Sequence, residues 1–536
     1  MRKGTIALLL LSVITVECTI MDPHGWVNEV KELPGMPPGT PLPTKMYSGY
    51  LNITDPNANP PLLNPNGRNM YLHYFMFTSE NDAANDPVIV WWNGGPGASS
   101  SWGLFVENGP LMLNEESLTT ESYKTTGIPT PLVNPYSWTK FATIIAFCNP
   151  PPIGFSYCDP PGPTGNGTSC GTWNDTRVGY TDAEGIRLLF QYQFPNLLAN
   201  GNKIYFMGES YAGVYIGETV AVMLSDVAKY SLVLNHLGGV ALGDACLGGD
   251  VLCGGSQGPY NSMMFLYGHG QASVEMWNEL NTQCTSLELH SRTQSAKCQA
   301  AVNKFYQGVG GYYAYNVIDE CVHNAFESTS GKQHVEGLSA RLQQRRRDQK
   351  RQKDAAGNNF TFPPNPEQMG YWCPGKVFFN YFDLPAVRAA VFVPLNSTFF
   401  NADNGVGMNY VYNCMTVMPT MTSLLSNTHP SVNDGKPVRV VAYTGDTDPS
   451  VNVFATQQAW WSFATASNFT QNLPWGAWVV YDNVVGGYVV EWQGGLLKFV
   501  TIRGSGHMVP EYKPFSAMMF ADAVSHDESL PPYKPS

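Results

Sequence analysis

The chain alternates apolar runs of strand length with turns rich in glycine or proline. Met70 to Phe77 is a mixed aromatic run and predicts a strand. Val88 to Trp92 is apolar without a break and stops abruptly at Asn93-Gly94-Gly95-Pro96-Gly97. Such a run is the pattern of a strand covered on both faces. Thr143 to Cys148 predicts another strand before Pro150-Pro151-Pro152, and Lys203 to Met207 runs into Gly208. The spacing of apolar residues from Ala212 to Ala228 predicts a helix. Val438 to Tyr443 and Leu497 to Ile502 predict two more strands, each followed by a glycine turn. Strands alternating with helices imply an α/β fold with a mostly parallel sheet and ligands at the strand C-termini.

Residues 246–375 differ in character. They hold six cysteines, Cys246 to Cys373, and a polar basic stretch, Arg341 to Lys353, with seven basic residues and one acid. The segment reads as an insertion that caps the core. The basic stretch reads as a solvated loop; the sharper alternative is an excision site that leaves two disulfide-linked chains. At the N-terminus, Arg2 and Lys3 precede an apolar run from Thr5 to Val16. That reads as a signal peptide over residues 1–18. The run is shorter than the roughly 20 residues of a membrane span. No other run is long enough, so the mature form is expected to have no membrane span.

Composition narrows the class. Hydrophobic residues make up 43% of the 536 positions and charged residues 13%, with 52 glycines and 40 prolines. This describes a loop-rich globular enzyme. A formal net charge of -12 disfavours nucleic acid as a partner, since counterion replacement needs a basic surface. Of 11 cysteines, Cys18 falls at the signal segment, and the even remainder suggests disulfides. No zinc-finger spacing and no His-Glu-x-x-His occurs, so no metal is expected. Six glycosylation sequons begin at Asn52, Asn166, Asn174, Asn359, Asn396 and Asn468.

The candidate chemistry starts at Gly208-Glu209-Ser210-Tyr211-Ala212-Gly213, which follows a strand and opens a helix. That is the context of a nucleophile elbow, with Ser210 as the nucleophile. The residues two positions either side of it must be small, and they are Gly208 and Ala212. His507 lies in a glycine-rich turn, Arg503 to Pro510, just after a strand, and is the candidate base. The acid should fall between serine and histidine in the chain. Gly445-Asp446-Thr447-Asp448 follows the Val438–Tyr443 strand and offers two aspartates. Asp448 is the candidate acid, with Asp446 as the turn-holding alternative. The order Ser210, Asp448, His507 is that of an α/β-hydrolase.

Taken together, these segments resemble the serine carboxypeptidases (peptidase family S10), a branch of the α/β-hydrolases. The likeness spans roughly residues 45–525. It rests on Trp91-Trp92-Asn93-Gly94-Gly95-Pro96-Gly97-Ala98-Ser99-Ser100, Asn134-Pro135-Tyr136-Ser137-Trp138 and Gly154-Phe155-Ser156-Tyr157. The elbow, the Gly-Asp-Thr-Asp turn and Gly506-His507-Met508-Val509-Pro510 complete the set.

The resemblance implies an α/β-hydrolase fold with a cap after the sixth core strand. Core parts would span 37–245 and 376–536, with the cap at 246–375. It implies Gly95 and Tyr211 as oxyanion donors. Trp91, Asn93, Gly94, Glu107 and Glu209 would hold the substrate's terminal carboxylate. Two glutamates suit that task only if protonated, which implies release of C-terminal residues from peptides and proteins at acid pH. No cofactor is implied. Alternatives are an acyltransferase or esterase with the same triad, and a protective or binding protein with vestigial catalysis. The destination would be the secretory pathway, either secretion or a lysosome or vacuole; a homodimer is compatible with it.

This chain departs from the family pattern at several supports. Ala98 stands where cysteine is common, Asn149 where aspartate is usual, and Pro152 and Ile153 where small residues are typical. Val214 and Gly217 replace a basic or histidine residue and a proline, and a frequent Gly-Asn pair reads Gly243-Asp244.

Overall fold

A computed structural model describes residues 25–54, 68–249, 253, 258–319, 321 and 373–535. The N-terminal apolar run, the basic stretch 341–353 and the Asn359 sequon lie outside the described residues.

The central sheet has twelve strands. In chain order they are β1 (Gly25–Val30), β2 (Met46–Asn52), β3 (Asn69–Phe77), β4 (Val88–Trp92), β5 (Thr143–Phe147) and β6 (Tyr157–Asp159). They continue with β7 (Ile204–Glu209), β8 (Leu237–Gly243), β9 (Arg439–Gly445), β10 (Gln471–Val479), β11 (Val485–Trp492) and β12 (Leu497–Ile502). The spatial order is β1-β2-β3-β5-β4-β7-β8-β9-β12-β11-β10, with β6 paired to β3. The middle, from β5 through β12, is parallel. Antiparallel strands close both sides.

The unbroken apolar runs have a direct cause. Along β4, Val88, Val90 and Trp92 join one buried layer while Ile89 and Trp91 join the other. In β7, Ile204 and Phe206 face the first layer, Tyr205 and Met207 the second. Side chains alternate across a strand, so a strand buried on both faces must be apolar throughout.

The helix expected over Ala212 to Ala228 is two helices. One runs Ala212–Ser225 and the next Val227–His236. Asp226 separates them, because its side chain accepts from the Lys229 N–H at 3.2 Å and caps the second.

Between β8 and β9 lies the longest excursion from the sheet. Helices Tyr260–Gly268, Val274–Gln283 and Ala296–Val309 bury a separate small core that includes Phe265, Leu280 and Phe305. Val453 and Phe454 of the main body pack against it. Disulfides Cys246–Cys253, Cys284–Cys298 and Cys321–Cys373 lie in this excursion, and Cys158–Cys170 in the main body. Cys148 and Cys414 are buried free thiols, so the even count of ten does not resolve into five bonds. Among the described residues, no helix is long and apolar enough to cross a membrane.

Candidate active site

The strands β4, β7, β8, β9 and β12 end on one edge of the sheet, and the chain's notable loops meet there. Ser210 sits between β7 and helix Ala212–Ser225 with φ of 62°. That left-handed conformation is costly for a residue with a Cβ. Three bonds hold it: Ser210 N–H donates to Gly243 O at 2.8 Å, and Cys246 N–H and Gly213 N–H donate to Ser210 O at 2.9 and 3.1 Å. The small neighbours are required by contact. A Cβ on Gly208 would lie 2.6 Å from Trp92 O and 2.8 Å from Ala212 Cβ.

The loop after β4 crosses directly over this turn. A Cβ on Gly94 would lie 2.3 Å from Tyr211 N and 2.8 Å from Ser210 Cβ. Gly95 has φ of 108°, which glycine alone adopts readily. Gly97 N–H donates to Tyr215 OH at 3.2 Å, pinning the loop to the helix that follows Ser210. The Tyr211 amide adjoins Ser210 in the chain, and neither it nor the Gly95 amide meets a backbone acceptor among the described residues.

The two aspartates of the β9 turn separate cleanly. Asp448 Oδ2 lies 2.6 Å from His507 Nδ1. Its carboxylate also accepts from Ser450 N–H at 2.7 Å and Val451 N–H at 3.2 Å. Asp446 instead accepts from Gly504 N–H at 2.6 Å and ties its own turn to the histidine loop. With Nδ1 donating to Asp448, His507 Nε2 is left as an acceptor. It is buried and makes no hydrogen bond among the described residues. Such an imidazole can take a proton from an incoming hydroxyl, since catalytic hydrogen bonds often tighten only with substrate present.

A second cluster lies beside Ser210. Asn93 Nδ2 donates to Glu107 Oε1 and to Glu209 Oε1, each at 2.8 Å. Asn93 Oδ1 accepts from Trp91 Nε1 and Gly103 N–H, each at 3.0 Å, which fixes the amide's orientation. Glu107 closes a short π-helical turn, Gly103–Glu107, that is buried throughout. Both glutamates are buried, and the Oε2 of each finds no donor among the described residues. Burial raises both carboxyls well above the carboxylate range, and the charge of Glu107 raises Glu209 further. A proton held by the pair turns two acceptors into an acceptor and a donor.

One group of side chains has metal-like proximity: Asp244, Asp448 and His507 bring ligand atoms within 4.8 Å of one another. Both carboxylates already accept hydrogen bonds from neighbouring groups. Asp448 holds the three partners above, and Asp244 accepts from Thr444 Oγ1 at 2.6 Å and Gly445 N–H at 3.0 Å.

The profile of the serine carboxypeptidase family matches residues 34–526. The chain belongs to the serine carboxypeptidase family. Among curated relatives, it is 26% identical over 513 residues to the lysosomal protective protein of Mus musculus, covering 91% of this chain and 92% of the relative. It is 27% identical over 524 residues to serine carboxypeptidase 1 of Hordeum vulgare, covering 92% and 91%. In fold it is similar to the crystal structure of Kex1(delta)p, a prohormone-processing carboxypeptidase from Saccharomyces cerevisiae. The TM-score is 0.58 at 18% identity, covering 93% of this chain and 94% of that one. The α/β-hydrolase fold expected from the sequence is the fold observed.

Within this serine carboxypeptidase family member, several site neighbours carry no local sequence signal. Asp175 accepts from Tyr211 OH at 2.7 Å, Tyr410 OH at 2.8 Å, Asn413 N–H at 2.6 Å and Cys414 N–H at 2.7 Å. It joins Tyr211, the residue after Ser210, to the loop that carries Tyr410, Asn413 and Cys414. Tyr315 of the long excursion sets its ring 5.0 Å from the His507 ring, tilted by 32°, and accepts the His507 N–H at its carbonyl, 2.8 Å away. Helix Asp175–Leu188 does have a readable start, since Asn174 caps it by accepting from Arg177 N–H at 2.8 Å. Nothing local indicates that Asp175 faces Tyr211. The departure at Gly217 has a packing reason: a Cβ there would lie 2.3 Å from Val417 Cγ1.

Proposed function

We propose that this serine carboxypeptidase family member releases C-terminal residues from peptides and proteins at acid pH through an acyl-enzyme. The observation that carries this reading is the buried Asn93–Glu107–Glu209 cluster, set one residue from the elbow serine. A plain esterase elbow has no need of two buried acids beside its nucleophile.

In this reading Ser210 Oγ attacks the last peptide carbonyl while His507 Nε2 takes its proton. Asp448 holds the imidazole by Nδ1 and balances its charge once protonated. The amides of Gly95 and Tyr211 receive the oxyanion, as preorganised donors that need no rearrangement. His507 then gives its proton to the departing amino group, and water repeats the sequence on the acyl-enzyme. Asn93, the protonated Glu209–Glu107 pair and the Gly94 backbone hold the free carboxylate, with Trp91 keeping Asn93 in place. Protonation is what makes two acids compatible with an anionic ligand, so the site works while the pair holds its proton.

The excursion between β8 and β9 is assigned as the cap over this edge. The disulfides fit an oxidising compartment, and the secretory pathway, ending outside the cell or in a lysosome or vacuole, is the proposed destination.

The deciding measurement compares blocked peptides with free and amidated C-termini across pH 4 to 8. Turnover of the free acid alone, strongest at the acid end, supports the reading. Equal turnover of both forms would point to an esterase or acyltransferase. No turnover and no fluorophosphonate labelling of Ser210 would point to a protective or binding role.

A further inference from the structure

Asp244 belongs to none of the roles assigned above, yet its carboxyl lies against the triad. It follows β8 directly, is fully buried, and has an oxygen within 4.8 Å of both Asp448 and His507. Its backbone is fixed by Asp244 N–H donating to Tyr443 O at 2.8 Å. Its Oδ1 accepts from Thr444 Oγ1 at 2.6 Å and from Gly445 N–H at 3.0 Å, while Oδ2 is 3.2 Å from that same amide. Oδ1 is therefore well supplied with donors and Oδ2 poorly.

Asp448 is in the opposite condition. Three donors converge on it: Ser450 N–H, Val451 N–H and His507 Nδ1. The other groups acting on Asp244 are Glu209, across from the end of β7, and the Tyr443 phenol on β9. These surroundings are acidic or neutral apart from the imidazole. Two bare carboxylates buried this close repel unless a proton lies between them. The proton belongs on the acid with fewer donors, which is Asp244.

We propose that Asp244 is a positioning residue for the triad, its neutral carboxyl donating a hydrogen bond to Asp448, and that loss of this proton shuts the triad off on the alkaline side. The inference rests on the Ser210–His507–Asp448 reading. Burial, and then the charge of Asp448, push the Asp244 carboxyl well above the carboxylate range, in agreement with the donor count. Ionisation would remove the bond to Asp448 and set a second negative charge beside the imidazole.

The test is the rate of Ser210 phosphonylation by a fluorophosphonate as a function of pH, in the full-length protein. This probe carries no carboxylate, so the proton on the Glu107–Glu209 pair does not gate its binding. Asp244→Asn keeps the acceptor for Thr444 and Gly445 and presents Asp448 with a donor that does not titrate. Wild type is expected to lose rate on the alkaline side. The Asn variant is expected to keep its plateau there, about tenfold faster than wild type one unit beyond the wild-type midpoint, with an unchanged acid limb. The same comparison in a Glu209→Gln background is expected to give a difference of the same sign.

Coincident alkaline limbs overturn the proposal. So does an acid limb displaced in Asp244→Asn, because that outcome means Asp244 was already ionised. If Asp244→Asn does not fold, Thr444→Val decides: it removes a donor to Oδ1, favours the protonated acid, and should move the alkaline limb upward. An unmoved limb, or a wild-type rate with no alkaline loss, overturns the proposal. Absence of labelling at every pH overturns the triad reading itself and this inference with it.

Discussion

Asp448 Oδ2 meets His507 Nδ1 at 2.6 Å, while Asp446, two residues earlier on the same turn, reaches the Gly504 amide instead. The two acids therefore have separable tasks. Asp448→Asn is expected to lower kcat by a factor on the order of 10⁴, because the imidazole loses its tautomer-fixing partner. Asp446→Asn retains an acceptor for Gly504 and is expected to leave kcat within about threefold. Asp446→Ala leaves that amide unpaired and should cost about 1–3 kcal/mol of stability. Steady-state kinetics together with denaturant unfolding separate these outcomes; a large kcat loss in Asp446→Asn would exchange the two roles.

The acid pair predicts a pH dependence whose sign follows from burial. Both glutamate carboxyls are raised, so each holds its proton at acid pH and releases it as pH rises. In the proposed function that proton serves the terminal carboxylate of a peptide. KM for such peptides is therefore expected to climb from the acid toward the neutral range. In Glu209→Gln the climb should be blunted, since the amide donates at every pH. A KM that rises identically in both proteins would remove the pair from carboxylate recognition.

Asp175 predicts a coupling between stability and catalysis. Four donors converge on its buried carboxylate, from Tyr211, Tyr410, Asn413 and Cys414. Asp175→Ala would strand buried donors and is expected to cost on the order of 3 kcal/mol. Because Tyr211 also carries a proposed oxyanion amide, kcat should fall as well. Denaturant melts and turnover of an ester substrate check both; loss of stability with unchanged kcat would make Asp175 a purely structural clamp.

Gly94 predicts a steric effect on the oxyanion site. An added Cβ would sit 2.3 Å from Tyr211 N, so the loop or the elbow must move. Gly94→Ala is expected to reduce kcat on a carboxylate-free ester by about 10²-fold or more, the scale of losing one oxyanion donor. Full activity in that variant would place the oxyanion elsewhere.

The local features were legible because their causes are local. A strand buried on both faces writes itself as an apolar run, as Val88 to Trp92 does. An elbow demands small residues two positions from its serine, as Gly208 and Ala212 are. Helix ends are harder, since a single capping acid such as Asp226 divides one apolar stretch into two helices.

By itself, then, the sequence determined the parallel α/β core, the serine turn and the histidine loop, because hydrophobic periodicity and glycine turns act over a few residues. Only the tertiary structure decided which acid faces His507, that Glu107 and Glu209 converge on Asn93, and that Asp175, Tyr315 and Asp244 stand beside the site. Those relationships join residues tens to hundreds of positions apart. They depend on how strand ends converge at one sheet edge, which no local pattern encodes.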